Sequence, residues 1–87
     1  MTAAAKVAVL GAGAWGTALA KVLAEKGMHV DVWARRADLA AQINEEHENR
    51  RYLPGFPLPA NILPTNDLPA ALGGVIGVVI AVPSGAD

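Results

Sequence analysis

The chain has 87 residues, 53% of them hydrophobic and 17% charged, with a net charge of −1 and no cysteine. That length fits one small globular domain or a piece of a larger one, and the near-neutral balance lacks the basic footprint of a nucleic-acid binder. With no cysteine there are neither disulfides nor thiolate metal sites, which fits a reducing cytoplasm.

The N-terminal segment has the outline of a secretory signal: Lys6, then apolar Val7 to Leu10, then small residues up to Ala20. Three glycines interrupt the supposed apolar region and a charged helix follows it directly, which argues against that reading. No stretch reaches the ~18 uninterrupted apolar residues of a membrane span. The expectation is a cytoplasmic domain with no membrane segment and no nucleic-acid partner.

Val7-Ala8-Val9-Leu10 is apolar at every position, as in a strand covered on both faces of a parallel sheet. A helical pattern follows, with Trp15, Ala18, Leu19, Val22 and Leu23 on one stripe and Thr17, Lys21, Glu25 and Lys26 opposite. Gly27 stands where a left-handed residue would end that helix. His29 to Arg35 reads as a second strand. Ala37 to Asn49 reads as a second helix, with Leu39, Ala40, Ile43 and His47 on one stripe. The proline-rich "RRYLPGFPLPANILP" is expected to be an irregular loop. Ile62 to Thr65 forms a short strand, and Asp67 caps a short helix through Leu72, with Pro69 in its first turn and Gly73-Gly74 closing it. Val75 to Val82 is a further apolar run, expected to be a central strand.

Alternating β and α units predict an α/β fold: a Rossmann-like, partial doubly wound parallel sheet, β-α-β-α-β-α-β, with strand order 3-2-1-4. The whole of 1–87 forms one dinucleotide-binding unit on this reading.

Gly11-Ala12-Gly13-Ala14-Trp15-Gly16 matches G-x-G-x-x-G. The motif alone is weak, but here it follows a buried strand and opens an amphipathic helix within one βαβ unit. Gly11 permits the tight turn, Gly13 lets backbone approach a diphosphate, and Gly16 allows close helix–strand packing. The helix N-terminus attracts the phosphate charge. A turn whose glycines serve packing alone is the competing reading. No Gly-Lys-Ser/Thr follows, so a P-loop is excluded.

The end of the second strand bears on cofactor choice. An NAD site usually carries an acidic residue there, for the ribose hydroxyls. This chain has Trp33-Ala34-Arg35-Arg36, and guanidinium groups pair with a 2′-phosphate. Asp31 falls too early in the strand to be the ribose ligand. NADP(H) is therefore favoured, with NAD(H) admitted; two solvated arginines are the bland alternative. His29 and His47 are too few for a metal site, and Glu45, Glu46 and Glu48 read as a solvated face.

Taken together, "VAVLGAGAWGTALAKVLAEKG", "VWARR", "INEEHENRRYLPG" and "AVPS" resemble the N-terminal domain of bacterial NAD(P)-dependent glycerol-3-phosphate dehydrogenase, along nearly the whole chain. The resemblance implies reversible hydride transfer between NAD(P)H and dihydroxyacetone phosphate, giving sn-glycerol 3-phosphate for phospholipid synthesis. It implies that Ala14 and Trp15 meet the cofactor diphosphate and its surroundings and that Arg35 and Arg36 hold the adenosine end. Tyr52 would lie near the cofactor, and Val82, Pro83 and Ser84 would border the nicotinamide ribose. Many relatives have serine at the position of Ala14 and proline at that of Ala37.

The family's catalytic lysines and substrate pocket belong to later segments, so the resemblance assigns no catalytic residue to 1–87. The isolated chain is expected to bind cofactor weakly and to show no turnover. In the complete fold Val75 to Val82 is flanked by a further strand, so homo-oligomer formation through the exposed sheet edge or face is expected. A non-catalytic dinucleotide-binding module and a self-assembling structural fragment remain the alternatives.

Overall fold

A computed structural model describes residues 5–81. Its strands are β1 (Lys6–Leu10), β2 (His29–Trp33), β3 (Ile62–Thr65) and β4 (Gly77–Ile80); its helices are α1 (Ala14–Glu25), α2 (Ala37–Glu46) and α3 (Leu68–Leu72). All strand pairs are parallel and the sheet order is β3-β2-β1-β4, as the alternating pattern predicts. The second strand ends at Trp33 and the second helix at Glu46, both earlier than expected from the sequence.

The register divides the sheet into two faces. Val7, Val30 and Ile62 align across β1, β2 and β3, as do Val9 and Val32, and Val9 meets Val79 of β4. Val9, Val30, Val32 and Ile62 join Ala20 and Ala24 of α1 and Ala40 and Ile43 of α2 in the principal core, with Val79 packed partly buried against it. On the other face Ala8 aligns with Asp31 of β2 and Val78 of β4. There Lys6 Nζ pairs with the nearly buried Asp31 at 3.2 Å and donates to the carbonyls of Ala70 (3.3 Å) and Gly73 (2.7 Å). One ammonium thus neutralises a carboxylate inside the sheet and donates to two carbonyls at the end of α3.

The ends of the helices follow local rules. Asp67 caps α3, its Oδ1 accepting from the Ala70 amide at 3.1 Å. Gly27 takes φ 95 after α1, as its placement predicts. His47 departs from expectation: it leaves the stripe of α2, adopts the left-handed conformation at φ 53 and is exposed. The proline-rich loop is irregular but anchored, because Leu58 is buried and its amide donates to the His47 carbonyl at 2.7 Å. Asn61 Nδ2 also donates to the carbonyls of Ala24 (2.8 Å) and Met28 (2.7 Å), closing the C-terminal end of α1.

The largest correction concerns α1. Its buried residues are Gly16, Thr17, Ala20 and Ala24, whereas Trp15 is 71% and Val22 48% exposed. The helix lies so close to the sheet that small side chains fill the contact; Trp15 and Val22 of the bulky stripe turn outward, while Leu23 packs half-buried against the core. Thr17, expected on the solvent side, is only 3% exposed.

Candidate functional site

The parallel register brings the carboxyl ends of the central strands to one corner. Leu10 stands opposite both Trp33 and Ile80, and the chain turns immediately afterwards. The Gly11 amide donates to the Trp33 carbonyl at 2.9 Å, and the Ala81 amide donates to the Leu10 carbonyl at 2.9 Å. The turn is therefore stitched to the ends of β2 and β4, at the point where successive crossovers leave β1 in opposite directions. In open α/β sheets this is where ligands bind.

Each glycine of the turn has a different structural demand. Gly11 has φ 127, and a Cβ there would overlap the Ala81 carbonyl oxygen. A Cβ on Gly16 would overlap the Gly11 carbonyl oxygen and crowd the Ala81 methyl at 3.2 Å. Both are required by packing. Gly13 is not: its φ is −73, open to any residue, and a Cβ there would meet nothing within 4 Å. Packing leaves the need for glycine at this position unexplained, whereas the approach of a ligand to bare backbone explains it. Gly13 is also the N-cap of α1, with no side-chain cap and no acidic residue in the first turn. The leading amides of that helix have no intrahelical acceptor and carry the positive end of its dipole. The turn thus fits a dinucleotide diphosphate.

A buried polar cluster lies behind the turn. Asn49, fully buried, donates through Nδ2 to the Ala12 carbonyl and to Thr17 Oγ1, each at 2.8 Å. Its Oδ1 accepts from the Tyr52 amide at 3.1 Å, and its own carbonyl accepts from the Leu53 amide at 2.9 Å. Thr17 Oγ1 donates in turn to the Ala12 carbonyl at 3.3 Å. Asn49 and Thr17 both fall within the segments that carry the family resemblance, yet one sits in a polar run and the other on the supposed solvent face. No hydrophobic pattern could have found either.

Arg35 and Arg36 follow β2 and are exposed, Arg36 as the N-cap of α2. Arg36, Arg50 and Arg51 line an open groove of about 270 Å³ with Asp38, Leu39 and Gln42. Asp38 grips Arg36 with both oxygens, at 3.1 Å from Nε and 2.9 Å from Nη2. This hydrogen bonding, supplemented by charge attraction, lowers the Asp38 pKa and raises that of Arg36. The pair is therefore intact at neutral pH and is lost only as acid protonates Asp38. Arg50 pairs with Glu46 at 2.8 Å, and the Arg51 guanidinium lies 5.4 Å from the Tyr52 ring centre. Asp31, paired with Lys6, takes no part in the groove. Trp15 stands exposed on the first turn of α1, beside Ala14, while Trp33 Nε1 donates to the Asn66 carbonyl at 3.1 Å. Val82, Pro83 and Ser84 lie outside the described residues.

Among the described residues no cluster of side chains could hold a metal ion, and no helix is long and apolar enough to cross a membrane. The family described as "NAD-dependent glycerol-3-phosphate dehydrogenase N-terminus" matches residues 6–86. The chain is 58% identical over 78 residues to glycerol-3-phosphate dehydrogenase [NAD(P)+] of Moorella thermoacetica, covering 90% of this chain and 23% of that protein. It is 55% identical over 83 residues to the enzyme of the same name from Halorhodospira halophila, covering 95% and 25%. Among solved structures, glycerol-3-phosphate dehydrogenase from Coxiella burnetii superposes with a TM-score of 0.87 at 46% identity, over 93% of this chain and 25% of that one. The Saccharomyces cerevisiae enzyme gives 0.82 at 34% identity, over 93% and 27%. The chain thus spans about a quarter of the length of the curated relatives it matches.

Proposed function

The chain belongs to the NAD-dependent glycerol-3-phosphate dehydrogenase family, whose N-terminal domain it matches over residues 6–86, and on that premise we propose that it is the dinucleotide-binding unit of such an enzyme. The whole protein would transfer hydride reversibly between NAD(P)H and dihydroxyacetone phosphate, in the cytoplasm. The nicotinamide supplies the hydride, and this chain's share of the work is to hold and orient the dinucleotide. Gly11, Gly13, Ala14, Trp15 and Gly16 form the diphosphate cradle. Arg35 and Arg36 receive the adenosine end, Tyr52 stands near the cofactor, and Val82, Pro83 and Ser84 border the nicotinamide ribose. The observation that carries this reading is Gly13, a glycine that packing does not require at the head of an uncapped helix.

We propose NADP(H) as the preferred form, supported by the absence of an acidic residue directly after β2 and by the arginines grouped there. The carboxylate of Asp38 occupies the Arg36 edge that a 2′-phosphate would use. Asp38→Asn should therefore tighten NADPH about two- to fivefold, as the exposed pair is weak, and leave NADH unchanged. Arg35→Glu should weaken NADPH more than NADH. Titration followed by tryptophan fluorescence, with Trp15 as reporter, measures all of these. Unaltered NADPH affinity in both variants would contradict the preference.

Self-association is proposed through the face of β4. Ile76, Val78 and Ile80 are 72%, 44% and 69% exposed, an apolar row that a second copy would cover. Sedimentation velocity should show a concentration-dependent dimer that Ile80→Glu disrupts. A monomer at every concentration would refute it.

A further inference from the structure

Asn49 is fully buried, yet it ties together the turn after β1 and the loop after α2, which lie 37 residues apart in the chain. Its orientation is dictated by its neighbours. A carbonyl can only accept, so the amide nitrogen must face Ala12; a backbone N–H can only donate, so Oδ1 must face Tyr52. Both hydrogens of Nδ2 are used, one on the Ala12 carbonyl and one on Thr17 Oγ1. Thr17, having accepted from Asn49, spends its own proton on the same Ala12 carbonyl. Two donors therefore hold one peptide oxygen.

That oxygen belongs to the peptide joining Ala12 to Gly13. The peptide is trans, since the described chain has no cis bond, and in a trans peptide the C=O and N–H point in opposite directions. Drawing the Ala12 carbonyl towards Asn49 turns the Gly13 N–H away from the packed loop. Gly13 itself stands beside open space. Rotation of this peptide would bring the carbonyl, with its partial negative charge, to the mouth of the turn.

We propose that Asn49 is the positioning residue of the dinucleotide site, holding the Ala12–Gly13 peptide so that its amide, and not its carbonyl, faces the ligand diphosphate. The proposal rests on the reading of the turn as the diphosphate cradle. Thr17 is its second support. Without them the competent turn is one of several conformers, and apparent affinity falls in proportion to its population.

Asn49→Asp keeps an oxygen for the Tyr52 amide while removing both donated bonds. The test compares NADPH with adenosine 2′-monophosphate, which carries the adenosine and 2′-phosphate but no diphosphate. The substitution should raise the NADPH dissociation constant about tenfold and leave that of the monophosphate unchanged. Should the buried carboxylate prevent folding, shown by loss of a cooperative melt, Thr17→Val takes its place. That variant keeps the shape, removes the hydroxyl, and should weaken NADPH severalfold with the same selectivity. Equal NADPH affinity in a folded variant, or equal losses for the two ligands, overturns the proposal alone. Failure of the unsubstituted chain to bind NADPH overturns it together with the dinucleotide reading.

Discussion

Gly16→Ala should melt about 10–20 °C below the unsubstituted chain, because one methyl group has nowhere to go. The Cβ would overlap the Gly11 carbonyl oxygen and press on the Ala81 methyl. Neither neighbour can yield cheaply: Gly11 is bound to the Trp33 carbonyl, and Ala81 is bound to the Leu10 carbonyl. The first turn of α1 must instead lift from the sheet, opening space around Thr17, Ala20 and Ala24. Overpacking of this kind typically costs about 1–3 kcal/mol, and a clash with backbone belongs at the upper end. For a domain this small that is a large share of its total stability. Dinucleotide binding should fall as well, since the same movement displaces the turn. A melting temperature within a degree or two of the original would show that α1 does not approach the sheet as closely as described.

Gly13→Asp should do the reverse: raise stability while abolishing binding. Gly13 has the extended conformation of an N-cap, with φ −73 and ψ −173, and no side chain caps α1 now. Aspartate is among the best N-cap residues and complements the helix dipole, so the gain over glycine should be about 0.5 kcal/mol, or roughly 2–4 °C in melting temperature. No atom lies within 4 Å of the new Cβ to oppose it. The same carboxylate would occupy the approach of the diphosphate and repel its charge. No saturable NADPH binding is expected at concentrations that saturate the unsubstituted chain. On the proposed reading, glycine at this position trades helix stability for access. Unchanged NADPH affinity in the variant would mean that the turn is not the diphosphate site.

Much of the fold was legible because its signals are local. The apolar run Val7 to Leu10, the Asp67–Pro69 start and Gly73-Gly74 end of α3, and the Gly27 stop are short-range chemistry that tertiary packing did not override. The buried face of α1 was not legible in the same way. Periodicity counts large apolar residues, and it marked Trp15 and Val22, both of which are exposed. A helix drawn tightly against a sheet buries its smallest residues, so Gly16, Thr17, Ala20 and Ala24 form the contact. The glycine motif marked the strand–turn–helix corner, because the three are contiguous there. Asn49 lies in a segment that carries the family resemblance, but its structural part has no local signal. It lies between Glu48 and Arg50 in a polar stretch, and only the fold brings it to the Ala12 carbonyl. His47 leaves the α2 stripe because a stripe presumes that the helix continues, and this left-handed residue ends it.

The central claim is that the turn after β1 holds the diphosphate, with a guanidinium beyond β2 receiving the adenosine phosphate. It is tested most directly by titrating NADPH into the 15N-labelled chain and following each backbone amide. The account predicts saturable shifts concentrated at Gly11 to Gly16 and at Arg35 and Arg36, with the Gly13 amide among the largest. Shifts clustered on another part of the molecule, with the glycine-turn amides unmoved at saturation, would contradict it.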